Sequence, residues 1–211
     1  MSSFASSQYG LAIHTTTPQL GIALSNFAGD RRTRVWDLGR NLSSSLHKYL
    51  QEILIPQTWQ DIGFIAVAKG PGGFTGTRIG VVTARTLGQQ LNIPVYGIST
   101  LAAFARETIK NSNINSLVAV QMKTRREQLF VAIYRVSSAG IWSEYLADST
   151  MTESEWQAVL TKIEQPWQLI ETPEAIADSV NSLLTLAYAQ WKHQIKSEWS
   201  AIIPFYGQNP V

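Results

Sequence analysis

The sequence predicts an α/β protein built from two copies of one βββαβα unit. Three observations point there. β-type apolar runs come in groups of three, and each group leads into a segment with helical periodicity. A strand, a glycine-rich turn and a helix follow one another between Phe64 and Leu91. The same order of elements then returns beyond the polar stretch Asn111-Ser112-Asn113, as a repeat of element order and not of residue identity.

In the first half, Tyr9 to His14 reads as a strand, Leu20 to Asn26 as its hairpin partner, and Thr33 to Leu38 as a third run after the turn-like Ala28-Gly29-Asp30. A helix is expected from about Asn41 to Leu54, because Leu42, Leu46, Tyr49, Leu50, Ile53 and Leu54 recur at helical spacing. Pro56 ends it, since the residue before a proline is pushed out of the helical region. Strand Phe64–Ala68, a helix over 74–91 and strand Val95–Ile98 follow. Ser99 then caps a helix from Thr100 to about Lys110.

The second half offers strands at Leu117–Met122, Gln128–Val136 and Ile141–Ala147. Thr152 and Glu155 form a capping box for a helix of about ten residues. Trp167–Glu171 is a short strand, and Thr172-Pro173 reads as the start of a long helix reaching about Ile195. Two such units in series are the order of the ribonuclease-H-like, actin-like ATPase fold. The division expected is residues 1–110 as the first subdomain and 111–211 as a smaller second one, with the last helix and tail packing back on the first.

The most informative segment is Lys69-Gly70-Pro71-Gly72-Gly73-Phe74-Thr75-Gly76-Thr77-Arg78-Ile79-Gly80. A glycine turn between a strand and a helix is the usual setting for an anion at a helix N-terminus. This loop (Gly70, Pro71, Gly72, Gly73, Phe74, Thr75) nevertheless fails the phosphate-loop pattern, lacking a Lys-Ser or Lys-Thr at the required offset. It also fails the dinucleotide pattern, because Thr75 stands in place of the third glycine. In the helix beyond it, Gly76, Gly80, Ala84 and Gly88 recur every four residues along one ridge. A glycine inside a helix costs about 1 kcal/mol relative to alanine, so such a ridge implies another backbone at close range. Two partners fit: the chain's own sheet, or a second protein.

Composition narrows the function classes. Of 211 residues, 45% are apolar and 15% charged, with a formal charge of +2, which is too weak by itself to suggest nucleic-acid binding. Zero cysteines exclude disulfides and thiolate metal sites and suit a reducing compartment. No apolar run approaches the ~20 residues of a membrane span, and the N-terminus reads as no signal peptide, so a cytoplasmic protein is expected.

Candidate chemistry is sparse. Actin-like ATPases hold magnesium with carboxylates near the end of the first strand of each half. Here those places read His14-Thr15-Thr16-Thr17 and Gln121-Met122-Lys123-Thr124, so no phosphoryl-transfer site, metal or cofactor is expected. His14, alone at a strand end, reads as a hydrogen-bonded structural residue. His47 and His193 are isolated, and no Gly-x-Ser-x-Gly elbow occurs. Two basic clusters, Arg31-Arg32 with Arg34 and Lys123 with Arg125-Arg126, fall at hairpin turns. They read as solvated charge, with Arg125 and Arg126 as possible contacts to RNA phosphate.

Gly70 to Gly80 closely resembles the Gly-Pro-Gly-Ser-Phe-Thr-Gly-x-Arg-Ile-Gly signature of the TsaB family. Thr83-Ala84, Ile93-Pro94, Gly97-Ile98-Ser99-Thr100-Leu101, the start Leu11-Ala12-Ile13-His14-Thr15-Thr16-Thr17 and the closing Pro204-Phe205-Tyr206 are similar to further family segments. The match is specific over about 9–105 and weak over 112–195. The resemblance implies a non-catalytic partner of a TsaD-like subunit, acting with a TsaE-like ATPase to form N6-threonylcarbamoyladenosine at position 37 of tRNAs that read codons starting with A. It implies that the TsaD-like subunit holds the metal, that tRNA is met through the complex, and that the chain alone forms a homodimer.

It also implies a dimer surface made of the first two helices. The candidate contacts are Leu42, Leu46, Tyr49 and Leu50 on one, and Gly76, Ile79, Gly80, Thr83, Ala84 and Leu87 on the other. Two positions depart from the family pattern: His14 replaces its aspartate, and Leu42 stands where many members carry histidine. The competing reading is an enzyme, glycoprotease-like or kinase-like. The missing carboxylates and paired histidines argue against both.

Overall fold

The computed structural model of the chain describes residues 8–109, 116–124, 127–136 and 142–207. Among the described residues, nine strands form two sheets. In the first, β1 (Tyr9–His14), β2 (Gln19–Ser25), β3 (Arg31–Asp37), β4 (Ile62–Ala68) and β5 (Val95–Ile98) lie in the order β3-β2-β1-β4-β5. In the second, β6 (Leu117–Lys123), β7 (Gln128–Val136), β8 (Trp142–Thr152) and β9 (Trp167–Glu171) lie in the order β8-β7-β6-β9. In both, the three leading strands are antiparallel and the next strand joins the first in parallel. This repeated topology is the ribonuclease-H-like, actin-like α/β fold.

Helices cover the faces. Helices α1 (Leu42–Leu54) and α2 (Phe74–Leu91) pack on one face of the first sheet, through Leu42, Leu46, Leu50 and Ile53 of α1 and Val81 and Ala84 of α2. β1 alternates as a two-sided strand should: Tyr9, Leu11 and Ile13 point to that face, and Ala12 to the other. The other face is covered by α5 (Val180–Lys192), whose Val180, Leu183, Leu184 and Ala187 meet Ala12, Ala23, Phe64 and Ala66. Helix α3 (Thr100–Thr108) lies beside α5 and turns Leu101, Ala102 and Ala105 onto the second sheet. Helix α4 (Glu153–Leu160) closes the far side of that sheet with the buried Trp156.

Local chemistry explains the boundaries. Ser99 accepts from the amides of Leu101 and Ala102 at the start of α3, and Thr152 with Glu155 closes a reciprocal capping box on α4. Helix α2 ends with Asn92 in the left-handed region, φ 54°. There Asn92 N–H bonds Gln89 and Ile93 N–H bonds Gly88, so two orphan carbonyls are satisfied.

The last helix departs from expectation. It starts at Val180 after a 3-10 turn, Ala177–Ser179, and not at Thr172-Pro173, and it stops at Lys192. Thr172 N–H donates to Gln121 O, continuing the β6–β9 ladder, and Pro173 keeps Thr172 extended. At the far end Gln194 adopts φ 54°, which terminates the helix before Ile195. β8 is also longer than expected, running on to Thr152.

Candidate functional site: the glycine helix, the β1 end and the α1–α2 face

The glycine loop lies on the end of β1. Gly73 N–H donates to Thr16 O at 2.7 Å, and a Cβ on Gly72 would strike that same carbonyl. Gly70 has φ +103°, a conformation open to glycine, and its carbonyl accepts from Thr100 N–H at 2.9 Å. Lys69 O accepts from Phe205 N–H at 2.7 Å. These backbone groups of the loop are thus engaged by its own chain, and Gly72 serves close approach.

The ridge on α2 has the same explanation. A Cβ on Gly76 would collide with Thr15 O, one on Gly80 with Thr15 Oγ1, and one on Gly88 with Val95. Thr15 Oγ1–H donates to Gly76 O at 2.8 Å, so β1 and α2 are bonded where side chains are missing. Of the ten candidate contacts for a partner, Leu42, Leu46, Leu50, Gly80, Thr83 and Ala84 are buried in the chain itself. At the ridge glycines Gly76 and Gly80 the close neighbour is Thr15, beyond the end of the chain's own first strand. Tyr49, Ile79 and Leu87 are half-buried and keep a surface. The most exposed apolar side chain of α2 is Val82, 54% exposed and absent from the candidate contacts read from the sequence. Phe74, 43% exposed, stands at the start of the helix with Arg78 4.6 Å over its ring and the Tyr206 ring tilted against it at 4.5 Å.

His14 is fully buried, and neither ring nitrogen has a hydrogen-bond partner among the described residues. The expected hydrogen-bonded role is therefore corrected. Burial lowers its pKa to about 4, which leaves the imidazole neutral at physiological pH. Around it, Thr15 and Thr16 are also buried, and Thr100 Oγ1–H donates to Thr16 Oγ1 at 3.2 Å. At the matching end of β6, Gln121 accepts from the indole N–H of Trp156 at 2.8 Å, and Glu171 on the neighbouring strand pairs with Lys123 at 2.7 Å. Among the described residues, no group of three histidines or carboxylates is placed to hold a metal ion.

One polar cluster had no signal in the sequence. Asp148 on β8 accepts from Ser99 Oγ–H at 2.7 Å and from the Tyr134 hydroxyl at 3.1 Å, so the cap of α3 is tied to β7 and β8. Burial pushes the Asp148 carboxyl up to about 6 against the pull of these two donors and of Lys69. Its members come from elements far apart in the chain, so only folding brings them together. Arg125 and Arg126 lie outside the described residues.

Residues 38–152, more than half of the chain, match the family model described as TsaD: tRNA N6-adenosine threonylcarbamoyltransferase. The tRNA threonylcarbamoyladenosine biosynthesis protein TsaB of Bacillus subtilis is 30% identical over 161 residues, covering 74% of this chain and 67% of that protein. The TsaB protein of Escherichia coli is 30% identical over 134 residues, 63% of this chain and 57% of its own length. A solved structure, YeaZ from Pseudomonas aeruginosa, superposes with a TM-score of 0.76 at 20% identity, over 94% of this chain and all of that one, and shares the fold. With the relative from Bacillus subtilis 30% identical and covered over two thirds of its length, the chain belongs to the TsaB family.

Proposed function

We propose that the chain serves the formation of threonylcarbamoyladenosine in tRNA as a non-catalytic subunit that docks on a TsaD-like catalytic partner. The observation that carries this is the β1 end. Where an actin-like phosphotransferase needs a carboxylate, the chain has the enclosed, neutral imidazole of His14. Family membership supplies the pathway, and the exposed strip of α1 and α2 supplies a docking face. On this reading Tyr49, Ile79, Val82 and Leu87 meet the partner, while Leu42, Leu46 and the glycines hold the two helices in place beneath them. A TsaE-like ATPase joins the pair, the isolated chain self-associates through the same face, and tRNA is reached through the assembly. The cytoplasm is its place, in keeping with a cysteine-free chain.

The test is depletion in the cell of origin, read by mass spectrometry of tRNA nucleosides. Threonylcarbamoyladenosine should fall, and be restored by the wild-type chain but not by a folded Val82→Glu variant that no longer co-purifies with the TsaD-like protein. Unchanged modification after depletion, with no second copy of the gene present, would rule the reading out. ATP hydrolysis by the isolated chain that vanishes on changing His14 would overturn the non-catalytic part alone.

A further inference from the structure

Strand β3 ends the first sheet, with β2 along one edge and, among the described residues, no strand along the other. Between that free edge and the C-terminal end of α1 lies an open cavity of about 290 Å³, lined by Arg31, Arg32, Thr33, Arg34, Ile53 and Ile55 and by one carboxylate, Glu52. Arg32 is committed to the fold. Its guanidinium donates to the carbonyl oxygens of Ile53, Leu54 and Ile55 at 2.9, 3.2 and 2.6 Å, and pairs with Asp30 at 3.1 Å. It thereby satisfies the last carbonyls of α1 and offsets the negative end of the helix. Glu52 lies 3.8 Å from Lys48. Arg31 and Arg34 are exposed and form no ion pair among the described residues. Beside them Ile55 is 71% exposed and Val35 is 38% exposed.

We propose that this groove docks an extended acidic segment of another protein, which adds to the sheet along β3. The free edge supplies main-chain hydrogen bonds, as in other strand-addition complexes. Side chains alternate along a strand, so Arg31 and Arg34 stand on opposite faces. A partner strand with carboxylates three positions apart meets both as cross-strand pairs. An apolar side chain of the partner covers Ile55. A second copy of this chain is disfavoured as the occupant, because edge-to-edge pairing would bring arginines against arginines. Nucleic acid fits less well: Trp36, the one aromatic ring on this strand, is already stacked on Tyr49 at 4.3 Å, so the strand offers no free ring to an unpaired base.

The experiment uses the full chain and two fluorescein-labelled peptides of about ten residues, one with glutamates three apart among valines and threonines, the other with lysines in their place. Fluorescence anisotropy should show binding of the acidic peptide only, weakened by salt, with slowed amide exchange along β3. Arg31→Glu/Arg34→Glu should weaken it about tenfold or more. Both positions are exposed, so the variant should fold. Circular dichroism checks this, and Arg31→Gln/Arg34→Gln takes its place if it does not. Absence of binding at millimolar peptide, equal binding by the variant, or binding of a labelled oligouridylate in place of the peptide would each overturn the proposal.

Discussion

At the residue scale, two buried titratable groups pull the chain's stability in opposite directions with pH. His14 has its folded pKa lowered by burial to about 4, below the ordinary 6.5. Its contribution is therefore complete above 6.5 and is lost as pH falls toward 4. Asp148 has its folded pKa raised by burial to about 6 from 3.8. Its contribution is complete below 3.8 and is lost as pH rises through 6. His14→Leu should flatten the acid limb of the stability curve and, by removing two unpartnered nitrogens, be neutral or stabilising by about 1 kcal/mol at pH 7. Asp148→Asn retains an acceptor for Ser99 and Tyr134 and should gain on the wild type as pH rises from 5 to 7.5. Urea unfolding at a series of pH values reads both. A loss of more than about 2 kcal/mol at pH 7 for His14→Leu would show that the imidazole has a partner in solution.

At the element scale, α2 has two sides with separate duties. Its inner side is cut to the shape of Thr15, which sits against Gly76 and Gly80 and donates to Gly76 O. Gly80→Ala should cost about 1–3 kcal/mol by displacing the Thr15 hydroxyl, despite alanine's better helix propensity. Its outer side carries Val82, whose replacement by glutamate should leave the melting temperature within a degree or two while abolishing association. Thermal melts and size-exclusion chromatography of the two variants separate these roles. If Gly80→Ala melts like the wild type, the ridge is not closely packed.

At the scale of the whole molecule, residues 199–207 act as a strap. Trp199 lies against Gly88, Ile202 against Gly97, and Phe205 bonds to the backbone of Lys69 beside Gly70. Gly207 then accepts from Thr150 Oγ1–H at 2.7 Å on the second sheet. One segment thus spans both sheets through contacts that glycines make possible. Truncation after Glu198 should destabilise the chain by about 3 kcal/mol or more, from the loss of buried Trp199, Ile202 and Phe205 surface. A truncated chain that unfolds at the same urea concentration as the full chain would refute this.

Elements were set by short-range chemistry, so they were legible. The strands Tyr9–His14, Val95–Ile98 and Trp167–Glu171, the helix Phe74–Leu91, the Ser99 cap and the Thr152–Glu155 box stand where periodicity and capping put them. Their order alone carried the fold class, and the glycine loop carried the family. What periodicity leaves open is which surface occupies an apolar or glycine-lined face. That depends on contacts between residues far apart in the chain. Only the folded chain put Thr15 under the α2 ridge, left His14 without a hydrogen-bond partner among the described residues, gathered Ser99, Tyr134 and Asp148, and laid α5 of the second half on the first sheet. The free energy of each depends on burial and on partners supplied by other elements, and neither is written in the local sequence.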